Sequence, residues 1–182
     1  MLVVGCWGKL VSMPERVDET WQRLREWTYG QAQSERLAGQ VLLSECYTGF
    51  DPSHPLGGPD GGHDGIANKD GLRCVMAVYF PRGQQSNHEI TAKFTSDLEE
   101  VVTNGADGVV YVTNQELRLS ERRDLTASAE SQVELYHLER VTAVLDQPSM
   151  TPTRNQFLGP MGKSSTRSRC CNLAPRGHAD RR

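Results

Sequence analysis

Asp64 stands at the end of a glycine turn, in the stretch Pro55-Leu-Gly-Gly-Pro-Asp-Gly-Gly-His-Asp-Gly65. Five of those eleven residues are glycine and two are proline, so the stretch is neither helix nor regular strand. It delivers a carboxylate just ahead of the apolar run Cys74-Val-Met-Ala-Val-Tyr-Phe80. A carboxylate placed so suits hydrolysis of a phosphodiester with Mg²⁺, which takes hard oxygen ligands. The reaction also wants a cation near the attacking water or the scissile phosphate. The economical layout adds an acid and a lysine two residues apart on the next strand, where a period of two puts both on one face. That strand reads Ala77-Val78-Tyr79 instead.

Three other residues could make up the difference. Lys93, on the following helix, could replace the missing cation. Glu35 could bring a carboxylate from the first helical region. Arg82, just past the strand, could hold phosphate. Each also has a plainer reading. Glu35 follows a plausible Ser34 cap, where a carboxylate suits the helix dipole. Lys93 and Arg82 could be ordinary surface charges.

Other chemistries fit less well. The glycine stretch has no G-K-[ST] and no following helix, so it is not a phosphate loop. His54, His63, His88, His137 and His178 make no zinc-binding pair. His137 reads as a packing or capping histidine. No G-x-S-x-G elbow is present.

The elements that must position these residues follow from periodicity. Val17 to Tyr47 is helical, interrupted at Gly30. Leu37, Ala38, Val41 and Leu42 form an apolar stripe. Thr48 to Gly58 is loop or short strand. Lys69-Asp70-Gly71 signals a hairpin. Cys74 to Phe80 reads as a strand buried on both faces. Glu89 to Val102 is a helix with Ile90, Phe94, Leu98 and Val101 on one side. Val109 to Val112 is a second buried strand, and Thr113-Asn114 opens a helix spanning roughly Leu117 to Ala129. Val133 to Tyr136 is a third strand, followed by a helix from His137 to Leu145 and a last piece from Arg154 to Leu158. Strands separated by helices predict an α/β fold with a central mixed β-sheet flanked by helices. Right-handed crossovers would place helices on both faces.

The chain has 182 residues, 37% hydrophobic, and a formal net charge of −3, which suits one globular domain. The expected division is a poorly ordered stretch over 1–16, a domain over 17–158 and a disordered basic tail over 159–182. That tail carries six basic residues against one acid and the remainder 14 against 22, so an anionic ligand must be met by a local patch. Cys6, Cys46, Cys74, Cys170 and Cys171 have no C-x-x-C spacing, which points to a reducing compartment, the cytoplasm. No apolar run is long enough to span a membrane.

The helix with Glu35, then Gly61-Gly-His-Asp64, then the strand at Cys74 to Phe80 resembles the restriction-endonuclease-like fold, nearest to its Mrr-like type IV restriction endonuclease domain. Val110-Tyr-Val-Thr-Asn114 resembles that family's strand ending in Thr. Val133-Glu-Leu-Tyr-His-Leu-Glu-Arg140 resembles its last strand and helix. The resemblance covers roughly Trp21 to Leu158. Gly-Gly-Pro-Asp-Gly-Gly, Ala-Val-Tyr-Phe-Pro-Arg (77–82) and Val-Thr-Asn-Gln-Glu-Leu (112–117) are also similar to words in a bacterial group whose domains stand at the front of larger proteins. The resemblance implies a Mg²⁺-dependent DNA nuclease, with Asp64 as metal ligand and Glu35 as the acid of the first helix; Lys93 is the candidate for a migrated lysine, and Arg82 is the candidate phosphate contact read from its place after the strand. It also leaves room for a homodimer and for fusion to further domains. Ala77 and Tyr79 occupy the two positions that should hold an acid or glutamine and a lysine, so the chain reads as a degenerate member. A catalytically inactive module that binds nucleic acid, senses a ligand or engages a protein is the alternative.

Overall fold

The structure, a computed structural model, describes residues 15–52 and 65–160. Asp64 and the rest of the glycine stretch before Gly65, the first fourteen residues and the tail beyond Pro160 lie outside the described residues. The element order is α1 (Glu15–Arg25), α2 (Gln31–Ser44), β1 (Thr48–Pro52), β2 (Gly65–Lys69), β3 (Leu72–Tyr79), α3 (Asn87–Thr103), β4 (Gly108–Thr113), α4 (Leu119–Ala127), β5 (Gln132–Tyr136), α5 (Leu138–Leu145), a 3₁₀ turn (Pro148–Met150) and α6 (Thr151–Leu158).

The five strands form one mixed sheet in chain order. β1 and β2 are antiparallel, as are β2 and β3, whereas β3, β4 and β5 run parallel. The β2–β3 hairpin turns on Asp70 and Gly71, with φ of 52° and 83°. Two successive positive φ angles make the tight turn whose twist matches its strands, and Asp-Gly is a pair that tolerates it.

Alternation along β3 divides the core. Cys74, Met76 and Val78 face one side with Ala67, Val110, Val112 and Tyr136, covered by apolar residues of α1, α2, α5 and α6. Val75, Ala77 and Tyr79 face the other with Val109 and Tyr111, against Ile90, Phe94 and Val101 of α3 and Leu125 of α4. Helices thus cover both faces, but the two crossover helices share one of them. The strand order never reverses, so crossovers of one hand fall on the same side. The opposite face is covered by the helices that precede the sheet and follow it.

Two local readings change. Ser34 is not a cap. Gly30 holds the N-cap position of α2, and Ser34 is buried inside the helix, its Oγ donating to Gln31 O at 2.7 Å. Glu35 therefore lies beyond the first turn, which holds no acid. Asn114 does not open a helix either, since α4 begins at Leu119 and the Arg118 N–H donates to the Glu121 carboxylate at 2.7 Å.

Close strand approach fixes Gly108. It pairs with Gln132 of β5, and a Cβ built on it would stand 2.5 Å from Gln132 O. Gly108→Ala is expected to cost about 1–3 kcal/mol through overpacking against backbone. A thermal melt unchanged from wild type would show that β5 shifts freely.

Candidate functional site

α3 buries the stripe Ile90, Phe94 and Val101 against the sheet, and Asp97 falls on that same stripe, only 3% exposed. A carboxylate on the core-facing side of a helix is costly unless a cation or donor meets it. Lys93, one turn earlier, forms an ion pair with Asp97, the lysine side chain being 40% exposed and the aspartate 4%. The lysine thus reaches from the solvent margin over a buried acid. Phe94 packs edge-on against Tyr111 of β4, ring centroids 5.1 Å apart, which fixes the helix over the strand pair.

Lys93 also lies within electrostatic reach of Tyr79. Burial raises the Tyr79 phenol above its ordinary value, with Glu89 adding to the rise and Lys93 opposing it. Ala77 and Tyr79, the positions lacking an acid and a lysine, therefore face the helix that supplies both residue types. Asp97 was not singled out from the sequence. Its signal was an acid at a position where the spacing from Ile90, Phe94 and Val101 calls for an apolar residue.

Two candidates are not brought together with this pair. Glu35 is half-buried on α2, whose apolar side packs on the opposite face of the sheet from α3. Arg82, in the turn after β3, is 73% exposed and its Nε stands 3.7 Å from a Glu26 carboxylate that is itself 63% exposed. That is a loose surface pair of little energetic weight. Asp64 lies outside the described residues, and its neighbour Gly65 pairs with Met76 of β3.

A carboxamide hub holds the loops at the C-terminal ends of β3 and β4. Asn114, fully buried, donates to Leu24 O and to Pro81 O, each at 2.8 Å. Its Oδ1 accepts from Gln115 Nε2 at 2.7 Å. Gln115 donates to Gly83 O at 3.0 Å and accepts the Gln85 N–H at 2.7 Å. Thr113 Oγ1 donates to Tyr79 O at 2.8 Å. Ser86 and Glu89 cap α3 reciprocally, the Ser86 N–H donating to the Glu89 carboxylate at 3.0 Å.

The first-core face carries a second polar cluster. The Glu134 carboxylate accepts from Tyr47 Oη at 2.6 Å, from Arg140 at 2.7 Å and from Lys69 at 3.3 Å. Arg140 stacks on Tyr136 at 3.7 Å from the ring centroid. Burial pushes the Tyr47 and Tyr136 phenols upward, so both stay protonated donors. With each charge met by an opposite one, this cluster clasps α2, β2, β5 and α5. His137 is buried at the head of α5 and makes no capping bond. Burial, with Arg122 and Arg140 adding to it, pushes its imidazole down to about 4, so it is neutral at pH 7 and acts as a packing residue.

Among the described residues, no three His, Cys, Asp or Glu side chains group as a metal centre. Asp97 supplies the hard oxygen donor that Mg²⁺ takes, but it is a single donor. No described helix is long and apolar enough to cross a membrane. No family model, curated protein or solved structure matches this chain.

Proposed function

We propose that the chain is a nuclease-like domain acting on DNA phosphodiesters, in which Lys93 and Asp97 of α3 stand in for the acid and lysine that β3 lacks. The observation carrying this reading is the Lys93–Asp97 ion pair set over the face of β3 that bears Ala77 and Tyr79. The element order supports it too. A helix, then β3, then β4 ending in Thr113, then β5 with its following helix, stand in the order of elements named in the restriction-endonuclease-like resemblance.

In this reading Lys93 places its ammonium group beside the scissile phosphate, where positive charge favours the developing transition state. Asp97 orients that ammonium group and keeps it charged. Asp64, the metal ligand that the resemblance implies, would hold Mg²⁺, which when bound supplies further charge neutralisation at the phosphate. Arg82 contacts the DNA backbone from the turn after β3. Glu35, on the opposite face, is left out of the set.

The test is nicking of supercoiled plasmid by the full chain with Mg²⁺ or Mn²⁺. Lys93→Met, Asp97→Asn and Asp64→Ala should each lower the rate by about 10²–10³-fold, with folding checked by circular dichroism. Equal nicking by wild type and all three variants would exclude this site. A folded wild type without nicking would favour the second reading, an inactive nuclease-derived binding module. The buried Ala77, which cannot ligate a metal, is what favours that reading.

A further inference from the structure

A separate cleft of about 470 Å³ opens at the C-terminal ends of β3 and β4. Its apolar floor is Ile90 and Leu117, and its polar rim includes Asn87, Glu116, Glu121 and Arg122. The lining is mainly polar, with Ile90 and Leu117 its apolar residues, and its volume lies in the range of small-ligand sites.

The charges of the cleft are unequally engaged. Glu121 already accepts the Arg118 N–H at 2.7 Å, and Glu116 pairs with Arg25 at 3.9 Å. The cap N–H groups ahead of α3 and α4, on Ser86 and Arg118, are served by Glu89 and Glu121. Arg122 differs. Its Nε donates to Leu117 O at 2.9 Å, which holds the guanidinium in place. Its two terminal nitrogens make no hydrogen bond or ion pair among the described residues. An oriented guanidinium with both terminal donors unengaged is a fork for phosphate or carboxylate.

We propose that this cleft binds a nucleoside monophosphate group, with Arg122 gripping the phosphate and Ile90 and Leu117 backing the nucleoside. The cleft is much larger than a bare phosphate needs, and its floor suits an apolar ring face. The group could come from a free mononucleotide or from the phosphorylated 5′ end of a DNA strand. The Lys93–Asp97 pair lies one turn further along α3, so this site does not depend on catalysis there.

The test is calorimetric titration of the full chain with deoxyadenosine monophosphate and with inorganic phosphate. Anisotropy of 5′-phosphorylated and 5′-hydroxyl oligonucleotides distinguishes the two sources. Saturable binding of deoxyadenosine monophosphate is expected, weakened about tenfold or more by Arg122→Gln, as for loss of a charge-assisted contact. Because Arg122 also holds Leu117 O, Asn87→Trp, a change at an exposed rim residue that blocks the mouth, should give the same loss. Arg123→Gln, which removes the same charge from the next, exposed residue of α4, should leave binding within about twofold of wild type, since it lies outside the charge-assisted contact. A preference for the 5′-phosphorylated oligonucleotide assigns the site to strand ends, and binding of the free nucleotide alone assigns it to mononucleotides. No saturable binding of any phosphorylated probe to the folded wild type overturns the proposal. So does inorganic phosphate binding as tightly as the nucleotide, or Arg123→Gln losing binding as fully as Arg122→Gln. Nucleotide binding without plasmid nicking would uphold this site while removing the nuclease reading.

Discussion

Asn114→Leu is expected to destabilise the domain by roughly 2–5 kcal/mol, because it strips the donor from two backbone carbonyls at once. The side chain is fully buried and meets Leu24 O, Pro81 O and the Gln115 amide. Leucine has the same branched shape and number of heavy side-chain atoms and is somewhat larger, so the loss would come from unmet hydrogen bonds rather than from a cavity. Each stranded carbonyl carries its own desolvation penalty. The effect should also be local in origin. The end of α1, the turn after β3 and the start of α5 all meet at this hub, since Leu138 N–H donates to Gln115 O at 3.0 Å. Urea unfolding followed by circular dichroism measures the change in midpoint. A shift worth less than about 1 kcal/mol would mean that water replaces the amide without loss, and the hub would not be what holds the loops. Hydrogen exchange should show Gly83 and Gln85 losing protection before the sheet does.

The second large effect belongs to Glu134. Glu134→Gln keeps the shape and removes the charge that meets Arg140 and Lys69. Discounted for the partial exposure of the cluster, the expected cost at neutral pH is about 1–3 kcal/mol. Its pH dependence has a definite sign. Burial alone would raise the Glu134 pKa, but hydrogen bonds from Tyr47 and Arg140 outweigh it and hold the carboxyl below its ordinary value. A depressed folded value means that the stabilisation is complete above the unfolded value of about 4.3 and is lost as pH falls through the lower folded value. Wild type should therefore lose stability on the acid side more steeply than the variant. Melting temperatures measured from about pH 3 to pH 7 check this, since that window spans the titration. Parallel curves for the two proteins would assign the acid sensitivity to other carboxylates.

Much of the scaffold is legible in the sequence because it depends on short-range patterns. The unbroken apolar runs around Val75 and Val110 predict strands buried on both faces, and β3 and β4 are buried so. Asp70-Gly71 predicts its own turn, because few other pairs accept two positive φ angles. The breaks at Gly30 and at Asn104-Gly105 bound α2 and α3 as expected. The mixed sheet flanked by helices follows from those elements in order.

What the sequence left open depends on distance in space. Ser34 has the residue type of a cap, yet Gly30 has the backbone for it, and only the folded turn decides between them. Thr113-Asn114 reads as the opening of a helix, but the Asn114 side chain answers to Leu24 and Pro81, 90 and 33 residues away. Chemistry alone groups Glu35 with Lys93, but a sheet has two faces, and chain order does not say which helix covers which. Asp97 went unread because its partner and its burial are set by how α3 rolls onto β3 and β4. Periodicity within one segment determined the elements of this protein. The faces they share, and so the charges that meet across them, were decided only by tertiary packing, where a buried carboxylate must find its cation wherever the fold brings one.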